Sequence, residues 1–397
     1  MTSSSNTRRL GSIDALRGGA ALAVVATHIN RGADVSVRRW LITLPIQWGA
    51  FGVHLFIVLS GFCIHNAVAA RATTTGVLEV SWRRFWVRRF KRLYPAYWAA
   101  IAFTLLTYYV IGARPKHPIV SLPWDLGLHL LMLHNLTEFA GRLSNPPLWT
   151  LGIEEQLYAL YAVYLVLRRK TSLRTTLLIV AAVSLGWQAL TFGRADPELR
   201  WAETRVYWHG WPFFWWLLWV SGAVLAEARA GLVKLPKWLS SASLMLICGS
   251  VGALTSVPVL DKVVASDWFG VHLRGRAWLA EAGVLSDPAI GLASVVLLNR
   301  ALLWDIQGVF ARGLRSVGLF SYSLYLIHFL VQLTLDHWFG TGVSVLSVMI
   351  RFATAVPICV LLARGFFEFA EKPFLFVPVP RAVADGGARN VDHGRSI

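Results

Sequence analysis

Apolar runs long enough to form membrane-spanning helices recur from one end of the 397-residue chain to the other. Most are close to about twenty residues long, and none alternates apolar and polar positions as a strand would, so they predict transmembrane α-helices rather than a β-barrel. The pattern predicts an all-α, polytopic integral membrane protein with about ten transmembrane helices. We place the spans at about residues 13–30, 46–68, 94–112, 149–167, 175–192, 208–227, 239–258, 284–302, 317–337 and 343–366.

Two segments do not fit a transmembrane span. The stretch at about 122–136 is too short and too rich in Pro, His and Asn, which predicts a re-entrant or interfacial segment. The last residues combine Pro, Gly and charges of both signs, which is typical of disorder. We therefore expect a membrane domain over residues 1–376 and a disordered cytoplasmic tail over residues 377–397.

Composition narrows the class of protein. The chain is 56% hydrophobic and only 15% charged, with a mean hydropathy of +0.54, which excludes a soluble globular protein. The first apolar run carries Arg17 and His28 and lacks a small-residue cleavage site, so it is not a cleavable signal. Cys63, Cys248 and Cys359 all fall within apolar spans and lack metal-ligand spacing. We expect neither a disulfide framework nor a metal site.

The net charge of +17 at pH 7 raises the question of nucleic-acid binding. The basic residues, however, lie mostly between the predicted spans. With a cytoplasmic N-terminus, the inside segments hold 24 of the 38 Lys and Arg, counting Arg300 and Arg364 with the segments they border, and the outside loops hold 12. This is the positive-inside pattern. It predicts a multi-pass protein of the plasma (inner) membrane with both termini cytoplasmic and no nucleic-acid partner.

Arg17 and His28 are ionisable groups inside the first predicted span. An Arg at the centre of a membrane helix costs at least about 2.5–3.5 kcal/mol, so such residues are functional candidates. Eleven residues at about 100° each make about three turns, which places both side chains on one face, roughly 16 Å apart along the axis. A cation near the cytoplasmic surface and a base near the outer one suggest a donor that reaches through the bilayer. The alternative is that Arg17 anchors the helix at the headgroups while His28 caps its far end.

The densest basic run follows the second span and holds six cations within residues 83–92, more than topology requires. Arg89 and Arg92 are three residues apart and share one helical face. On the cytoplasmic side such a pair can clamp phosphates. The alternative for this run is attraction to anionic lipid headgroups.

Glu154 and Glu155 lie at the outer end of an apolar helix, where carboxylates are unusual. Only one of them can face the bundle interior. The structural alternative is that both lie in the first turn and stabilise the helix dipole. In the second span, the pair Ser60-Gly61 favours close helix contact over a role in chemistry.

Two further groups are candidates for substrate binding. Tyr325 and His328 are three residues apart in the ninth span and therefore share a face. Trp211 belongs to an unusually aromatic stretch over residues 208–219, which we interpret first as an interfacial aromatic belt. The alternative is that these rings stack against a sugar or a macrolide.

Taken in order, these motifs resemble the membrane-bound acyltransferase-3 family, whose members transfer acyl groups from acyl-coenzyme A to hydroxyls of sugars, peptidoglycan or antibiotics. Each motif alone is weak, but six in order over nearly the whole chain are specific. The matching elements are Arg17 with His28, Gly52-Val53 through Ser60-Gly61-Phe62, Arg89 and Arg92 with Tyr94-Pro95, Trp149 through Tyr158, Ser321-Tyr322-Ser323-Leu324-Tyr325 with His328, and Glu371-Lys372-Pro373.

The resemblance implies a ten-helix core in which Arg17 and His28 are required for activity and Arg89 and Arg92 contact the donor. Its glutamate position falls on Glu154. The chain departs from the family at His54, where members often carry Asp or Glu, so any acidic role there is lost or changed. Some relatives carry a fused soluble esterase-like domain that passes the acyl group outward. This chain lacks one, so we expect direct transfer.

The sequence therefore predicts an integral-membrane O-acyltransferase whose donor is acyl-CoA, with acetyl-CoA as the first candidate. No metal is expected in the reaction. His28 would be the general base, with a transient acyl-histidine as a variant, and Glu154 would orient His28 or the acceptor. The pantetheine arm would thread along the first helix to His28. The expected residues are His28, Arg17 and Glu154 in catalysis, Arg17, Arg89 and Arg92 in donor binding, and Tyr158, Tyr325, His328 and Trp211 in substrate binding.

The first candidate for the acceptor is a cell-surface carbohydrate, and the second is a macrolide-type antibiotic. Membrane lipid is expected to surround the protein. The competing class is a proton-coupled transporter or flippase for a carbohydrate or drug, because intramembrane His and Arg also serve transport. Against it stand the absence of repeated halves and of paired Gly- or Pro-broken helices in the sequence.

Overall fold

The computed structural model describes residues 11–29, 49–112, 122–136, 145–192, 210–255, 285–304, 307–340 and 345–375. Secondary structure within these residues is helical, with no strand among them. The helices are α1 (Gly11–Ile29), α2 (Gly49–Thr75), α3 (Trp82–Val110), α4 (Leu122–Leu130), α5 (Trp149–Lys170), α6 (Leu173–Phe192), α7 (Pro212–Arg229), α8 (Ala242–Leu254), α9 (Ser286–Leu303), α10 (Val309–Gly318), α11 (Ser321–Phe339) and α12 (Val345–Phe366).

Each predicted span overlaps one of these helices, and the all-α membrane fold class is confirmed. In the described part of the chain, four helical segments are long and apolar enough to cross a membrane: Gly49–Thr75, Leu173–Leu190, Ser286–Leu303 and Leu346–Phe374. A fifth joins them if α10 and α11, bent by 80° at their junction, count as one span. The number of ten crossings stays a prediction.

Helices α1, α3 and α5 are also long but carry charged residues, and several of these residues face the interior of the bundle. Arg17 in α1, Arg89 and Arg92 in α3 and Glu154 in α5 all contribute to one internal cavity. These helices therefore carry charge on faces that turn toward the cavity, where intramembrane charges are expected to lie.

The segment at 122–136 does not form a long helix. It consists of α4 and a 3-10 turn at His134–Leu136. Asn135 and Gln156 of α5 exchange hydrogen bonds in both directions, at 3.0 and 2.8 Å, which ties this segment to the bundle. The tail at 377–397 lies outside the described residues, and the boundary of the membrane domain stays a prediction.

Helix α3 begins twelve residues before the predicted span, since the basic run at 83–92 is its first part. Pro95 lies inside this helix without ending it. The continuous helix fixes the angular positions of all six cations of the run. It therefore decides which of them face the bundle and which face outward.

Helix α2 lies at the centre of the bundle, where it packs against α1, α7 and α9. Its crossing with α7 is the closest kind of helix contact. A Cβ atom on Gly61 would lie 1.9 Å from the carbonyl oxygen of Trp219, and one on Gly222 would lie 2.0 Å from that of Val58. The interpretation of Gly61 as a site of close helix approach agrees with this geometry.

Replacement of Gly61 by Ala is expected to destabilise the protein by about 1–3 kcal/mol or more, because α2 and α7 must separate to admit the methyl group. Thermal unfolding in detergent measures the effect. Gly186→Ala in α6 is the matched control, since nothing lies within 4 Å of its Cβ position. Equal unfolding temperatures for the two variants would contradict this account of the crossing.

Candidate active site

A cavity of about 140 Å³ lies among α1, α2, α3, α5 and α11. It brings together six residues that the sequence marks as candidates, although they come from four separate helices. These six are Arg17, Arg89, Arg92, Glu154, Tyr158 and Tyr325. Val53, Phe56, Ile57, Ser60 and Cys63 of α2 form much of the remaining wall.

The charge of the cavity wall is positive. Three arginines line it against one glutamate, and its other residues are uncharged. Arg17 donates to the Cys63 sulfur at 3.4 Å and lies 4.0 Å from the Asp14 carboxylate. The Arg89 guanidinium lies over the Tyr158 ring at 5.9 Å. Such a wall favours an anionic ligand, since guanidinium groups bind phosphate oxygens in planar pairs.

The basic run divides into two sets of cations that differ in exposure. Arg89 and Arg92 are partly buried and line the cavity, as their shared helical face predicts. The other four cations are exposed: Arg83, Arg84, Arg88 and Lys91. Attraction to lipid headgroups is therefore not a sufficient explanation for Arg89 and Arg92.

Glu154 is held inside the cavity by two hydroxyl donors. Ser60 donates to it at 2.9 Å, and Tyr158 makes a short hydrogen bond to the same oxygen. Ser60 in turn accepts from the Trp219 indole at 3.3 Å. Ser60 thus does more than permit helix contact, because it joins α2 to the cavity carboxylate.

Glu155 points away from the cavity and accepts a hydrogen bond from Tyr94 at 3.2 Å. One glutamate faces the interior, as expected, and it is Glu154. The helix-dipole interpretation of the pair is wrong, since α5 begins at Trp149 and has no acidic residue in its first turn. The two carboxylates lie in the second turn, where the dipole effect is weak.

His28 does not line the cavity but forms a pair with His328. The His28 Nδ1 and His328 Nε2 atoms are 3.4 Å apart, and the ring centroids are 5.0 Å apart. His328 is fully buried, and its ring lies 5.8 Å from that of Tyr325. Tyr325 therefore contacts both the cavity and the histidine pair, and its hydroxyl is 2.8 Å from the Thr150 hydroxyl, which donates to it.

Two expectations stay predictions: that Glu154 orients His28 or the acceptor, and that a donor arm reaches His28 along α1. Glu154 bonds to Ser60 and Tyr158, whereas the His28 ring packs against the rings of His328 and Phe329 at the α1–α11 contact. The cavity also does not follow α1 to His28, since Arg17 is the only α1 residue in its wall.

Trp211 lies at the start of α7 and does not belong to the cavity wall. Its ring lies 5.1 Å from that of Trp187 and 6.3 Å from that of Phe213. His54 lies 3.5 Å from the Asp287 carboxylate and packs edge-on against Trp215. A carboxylate of α9 therefore lies beside the position where this chain carries His54.

Sequence reasoning missed two buried polar contacts. Ser323 donates to Glu371 through its backbone N–H at 3.2 Å and through its hydroxyl at 2.6 Å, which joins two of the family motifs. Glu227, buried in α7, binds Arg168 at 2.5 Å and accepts from Tyr164 at 2.6 Å. In both cases the sequence did contain an indication, namely a carboxylate in or next to an apolar run. A carboxylate buried among membrane helices requires a partner for its charge.

The fold and the cavity define an all-α membrane protein with a buried cationic pocket beside a histidine pair. A family model described as an acyltransferase domain matches residues 10–364. The chain therefore belongs to the acyltransferase-3 family, as the ordered motifs indicate.

Two curated relatives extend this comparison. The chain is 25% identical over 382 residues to peptidoglycan O-acetyltransferase OatA of Listeria monocytogenes, covering 91% of this chain and 55% of OatA. It is 28% identical over 349 residues to acyltransferase MdmB of Streptomyces mycarofaciens, covering 81% of this chain and 79% of MdmB. The chain thus spans little more than half the length of OatA. No solved structure matches it significantly.

Proposed function

We propose that this protein is a membrane O-acyltransferase that moves an acyl group from cytoplasmic acyl-CoA to a hydroxyl acceptor. Acetyl is the first candidate for this group. One observation carries the proposal. A cavity lined by Arg17, Arg89 and Arg92 is bounded by Tyr325, whose ring contacts His328 of the histidine pair. The arginine-lined cavity, which suits a polyanionic donor, therefore lies close to His28, the candidate base, within the same helix bundle.

The three arginines are assigned to the donor. Coenzyme A carries several phosphate charges, and charge-assisted hydrogen bonds to guanidinium are strong in a partly dry pocket. Asp14, 4.0 Å from Arg17, balances part of the positive charge of this wall. The apolar wall around Val53, Phe56 and Ile57 suits the uncharged part of the donor.

His28 is assigned as the general base on the acceptor hydroxyl. As imidazole takes the hydroxyl proton, the acceptor oxygen forms a bond to the acyl carbon and the carbon–sulfur bond to coenzyme A breaks. The proton then passes from His28 to the departing thiolate, which leaves as a thiol. No net charge is created, and the base returns to its starting state.

The acceptor is proposed to be a carbohydrate, with a macrolide-type antibiotic as the second candidate. OatA is named as acting on peptidoglycan, which is a glycan polymer. In this chain the rings of Trp187, Trp211 and Phe213 form an aromatic group at the start of α7. Flat aromatic faces of this kind stack on the apolar faces of sugars.

The test of the donor site is the double variant Arg89→Gln with Arg92→Gln. Acyl-CoA affinity should fall at least about tenfold, because each lost bond to a charged group contributes about 1.5–3 kcal/mol. Affinity for acetyl-CoA, measured by calorimetry at two salt concentrations, checks the result. In the wild-type protein, binding should also weaken with salt.

The matched control is Arg84→Gln with Arg88→Gln, which removes two exposed cations of the same helix. It should bind acetyl-CoA as the wild type does. If the two double variants bind equally well, Arg89 and Arg92 serve only as lipid anchors and the proposed donor site is wrong.

We further propose that both termini are cytoplasmic and that the loop at 112–148 lies outside. In a variant without the three native cysteines, Ser144→Cys should react with an impermeant maleimide on intact cells. Ser172→Cys, in the short turn between α5 and α6, should react only after permeabilisation. The reverse labelling pattern would place the arginine cavity on the outer side, away from cytoplasmic acyl-CoA.

A further inference from the structure

We infer that His328 is a positioning residue for His28: it accepts a hydrogen bond from the His28 Nδ1–H and thereby presents Nε2 of His28 as the catalytic base. The inference rests on the proposed function of His28. The pair joins α1 to α11 across 300 residues of sequence.

The tautomer of His328 follows from its neighbours. Its Nδ1 atom lies 2.8 Å from the Tyr325 carbonyl oxygen and 3.2 Å from that of Leu324. Carbonyl oxygens only accept, so Nδ1 carries the proton. In the neutral ring, which is expected of a fully buried histidine, Nε2 then holds a lone pair and acts as an acceptor.

The tautomer of His28 follows by the same reasoning. Its Nδ1 atom lies 2.9 Å from the Val24 carbonyl oxygen and 3.4 Å from Nε2 of His328. Both neighbours are acceptors, so the proton of neutral His28 lies on Nδ1 and is shared between them. The second ring nitrogen, Nε2, is then the basic one.

This arrangement supports proton transfer without a buried carboxylate. When Nε2 of His28 takes the acceptor proton, the ring becomes an imidazolium and its Nδ1–H becomes a stronger donor. The acceptors Val24 O and His328 Nε2 stabilise that form, as a carboxylate does in a Ser-His-Asp triad. A neutral imidazole does so without the cost of burying a second charge.

The distance between the two helices does not depend on the histidines alone. Gln332, one turn beyond His328, donates to the Val25 carbonyl oxygen of α1 at 2.9 Å. On the opposite side, Cys359 of α12 contacts the His328 carbonyl oxygen at 3.7 Å. Substitution of the His328 side chain should therefore leave α1 and α11 in register.

The test compares His328→Gln with His328→Leu. The Gln amide oxygen reaches about as far as Nε2 and accepts a hydrogen bond, whereas Leu fills the space without an acceptor. His328→Leu should lower kcat at least about tenfold, with KM for acyl-CoA unchanged, and His328→Gln should retain most of the activity. Nitrogen-15 NMR should show His28 as the Nδ1–H tautomer in the wild type and as a mixture in the Leu variant.

Equal losses in the Gln and Leu variants would show a packing role and overturn the inference, as would wild-type kcat in the Leu variant. If the Leu variant does not fold, the wild-type spectrum decides, since His28 in the Nε2–H form excludes this arrangement. The failure of the proposed function looks different. In that case His28→Ala retains transfer, while the tautomer of His28 in the wild type can still be read.

A second and independent observation concerns the outer face of α3. We propose that its exposed arginines Arg83, Arg84 and Arg88 bind the headgroups of anionic phospholipids. These arginines span an arc of about 140° on the helix, and Arg92 and Arg89 lie beyond one edge of it, about 40° and 100° past Arg88. Trp86 and Phe90, 36% and 48% exposed, both lie beside the Arg83 edge of this arc.

The length of α3 places this face at the membrane surface. Its 29 residues extend about 43 Å, whereas the hydrocarbon core is about 30 Å thick. In the proposed orientation the excess projects on the cytoplasmic side, at the depth of the phosphates. Juxtamembrane cations contribute about 1 kcal/mol each near an anionic surface, and exposed aromatic rings prefer the interface.

The test measures thermal stability in nanodiscs of phosphatidylcholine with increasing phosphatidylglycerol. The wild-type unfolding temperature should rise with the anionic fraction, and the triple variant Arg83→Gln, Arg84→Gln, Arg88→Gln should lose most of this rise. The Arg89→Gln, Arg92→Gln variant should keep it. If the triple variant responds to phosphatidylglycerol as the wild type does, this face is not the lipid site.

Discussion

His28→Ala is expected to abolish acyl transfer in a protein that still inserts and still binds donor. General-base catalysis contributes about 10²–10⁴-fold, so transfer should fall by at least about 10². Donor binding should persist because His28 does not line the arginine-lined cavity. His28 contacts His328, and His328 in turn contacts Tyr325 of the cavity wall. The His28 ring is only partly buried, so its loss should leave the bundle intact.

Single-turnover transfer and acetyl-CoA affinity, measured on the same preparation, check this prediction. His337→Ala is the matched control, since His337 lies on the same helix as His328 but is exposed. It should transfer at the wild-type rate. If His28→Ala also transfers at that rate, His28 is not the base and the proposed mechanism is wrong.

Arg17→Ala is expected to abolish activity at a different step, through the loss of donor binding. The Arg17 guanidinium lines the cavity beside Cys63, and its opposite charge, Asp14, lies 4.0 Å away. Removal of the cation leaves Asp14 to repel the donor phosphates. Acetyl-CoA affinity should fall at least about tenfold, because the loss of one hydrogen bond to a charged group costs about 1.5–3 kcal/mol. A saturating donor concentration should restore part of the single-turnover rate.

The contrast between the two variants is the informative result, because a shared structural role would impair both in the same way. Thermal unfolding separates a binding defect from misfolding, and Arg17→Lys tests geometry at constant charge. Wild-type acetyl-CoA affinity in folded Arg17→Ala would remove Arg17 from the donor site. Unrestored transfer at saturating donor would move its role from binding to chemistry.

The helices and the inward face of the basic run were predictable from the sequence. Run length and composition determine where helices form, and a spacing of three places Arg89 and Arg92 on one face regardless of the rest of the fold. That one of Glu154 and Glu155 faces the interior was also predictable from their adjacency, and the family resemblance indicated Glu154.

The partners of these residues were not predictable. Ser60 is 94 residues from Glu154 in sequence, and His328 is 300 residues from His28. Such contacts depend on which helices are neighbours, and periodicity within one helix carries no information about that. The same limit explains why the sequence left open whether Glu154 orients His28 or the acceptor, and why it did not indicate the contact between the His28 and His328 rings.

The most direct measurement uses purified protein in proteoliposomes, with isotope-labelled acetyl-CoA on the cytoplasmic side and glycan fragments on the other. Mass spectrometry then follows the label. The account predicts labelled acetyl esters on glycan hydroxyls, in amounts that depend on acetyl-CoA and vanish in His28→Ala. Glycan that crosses the membrane unmodified, at a rate independent of acetyl-CoA, would contradict it.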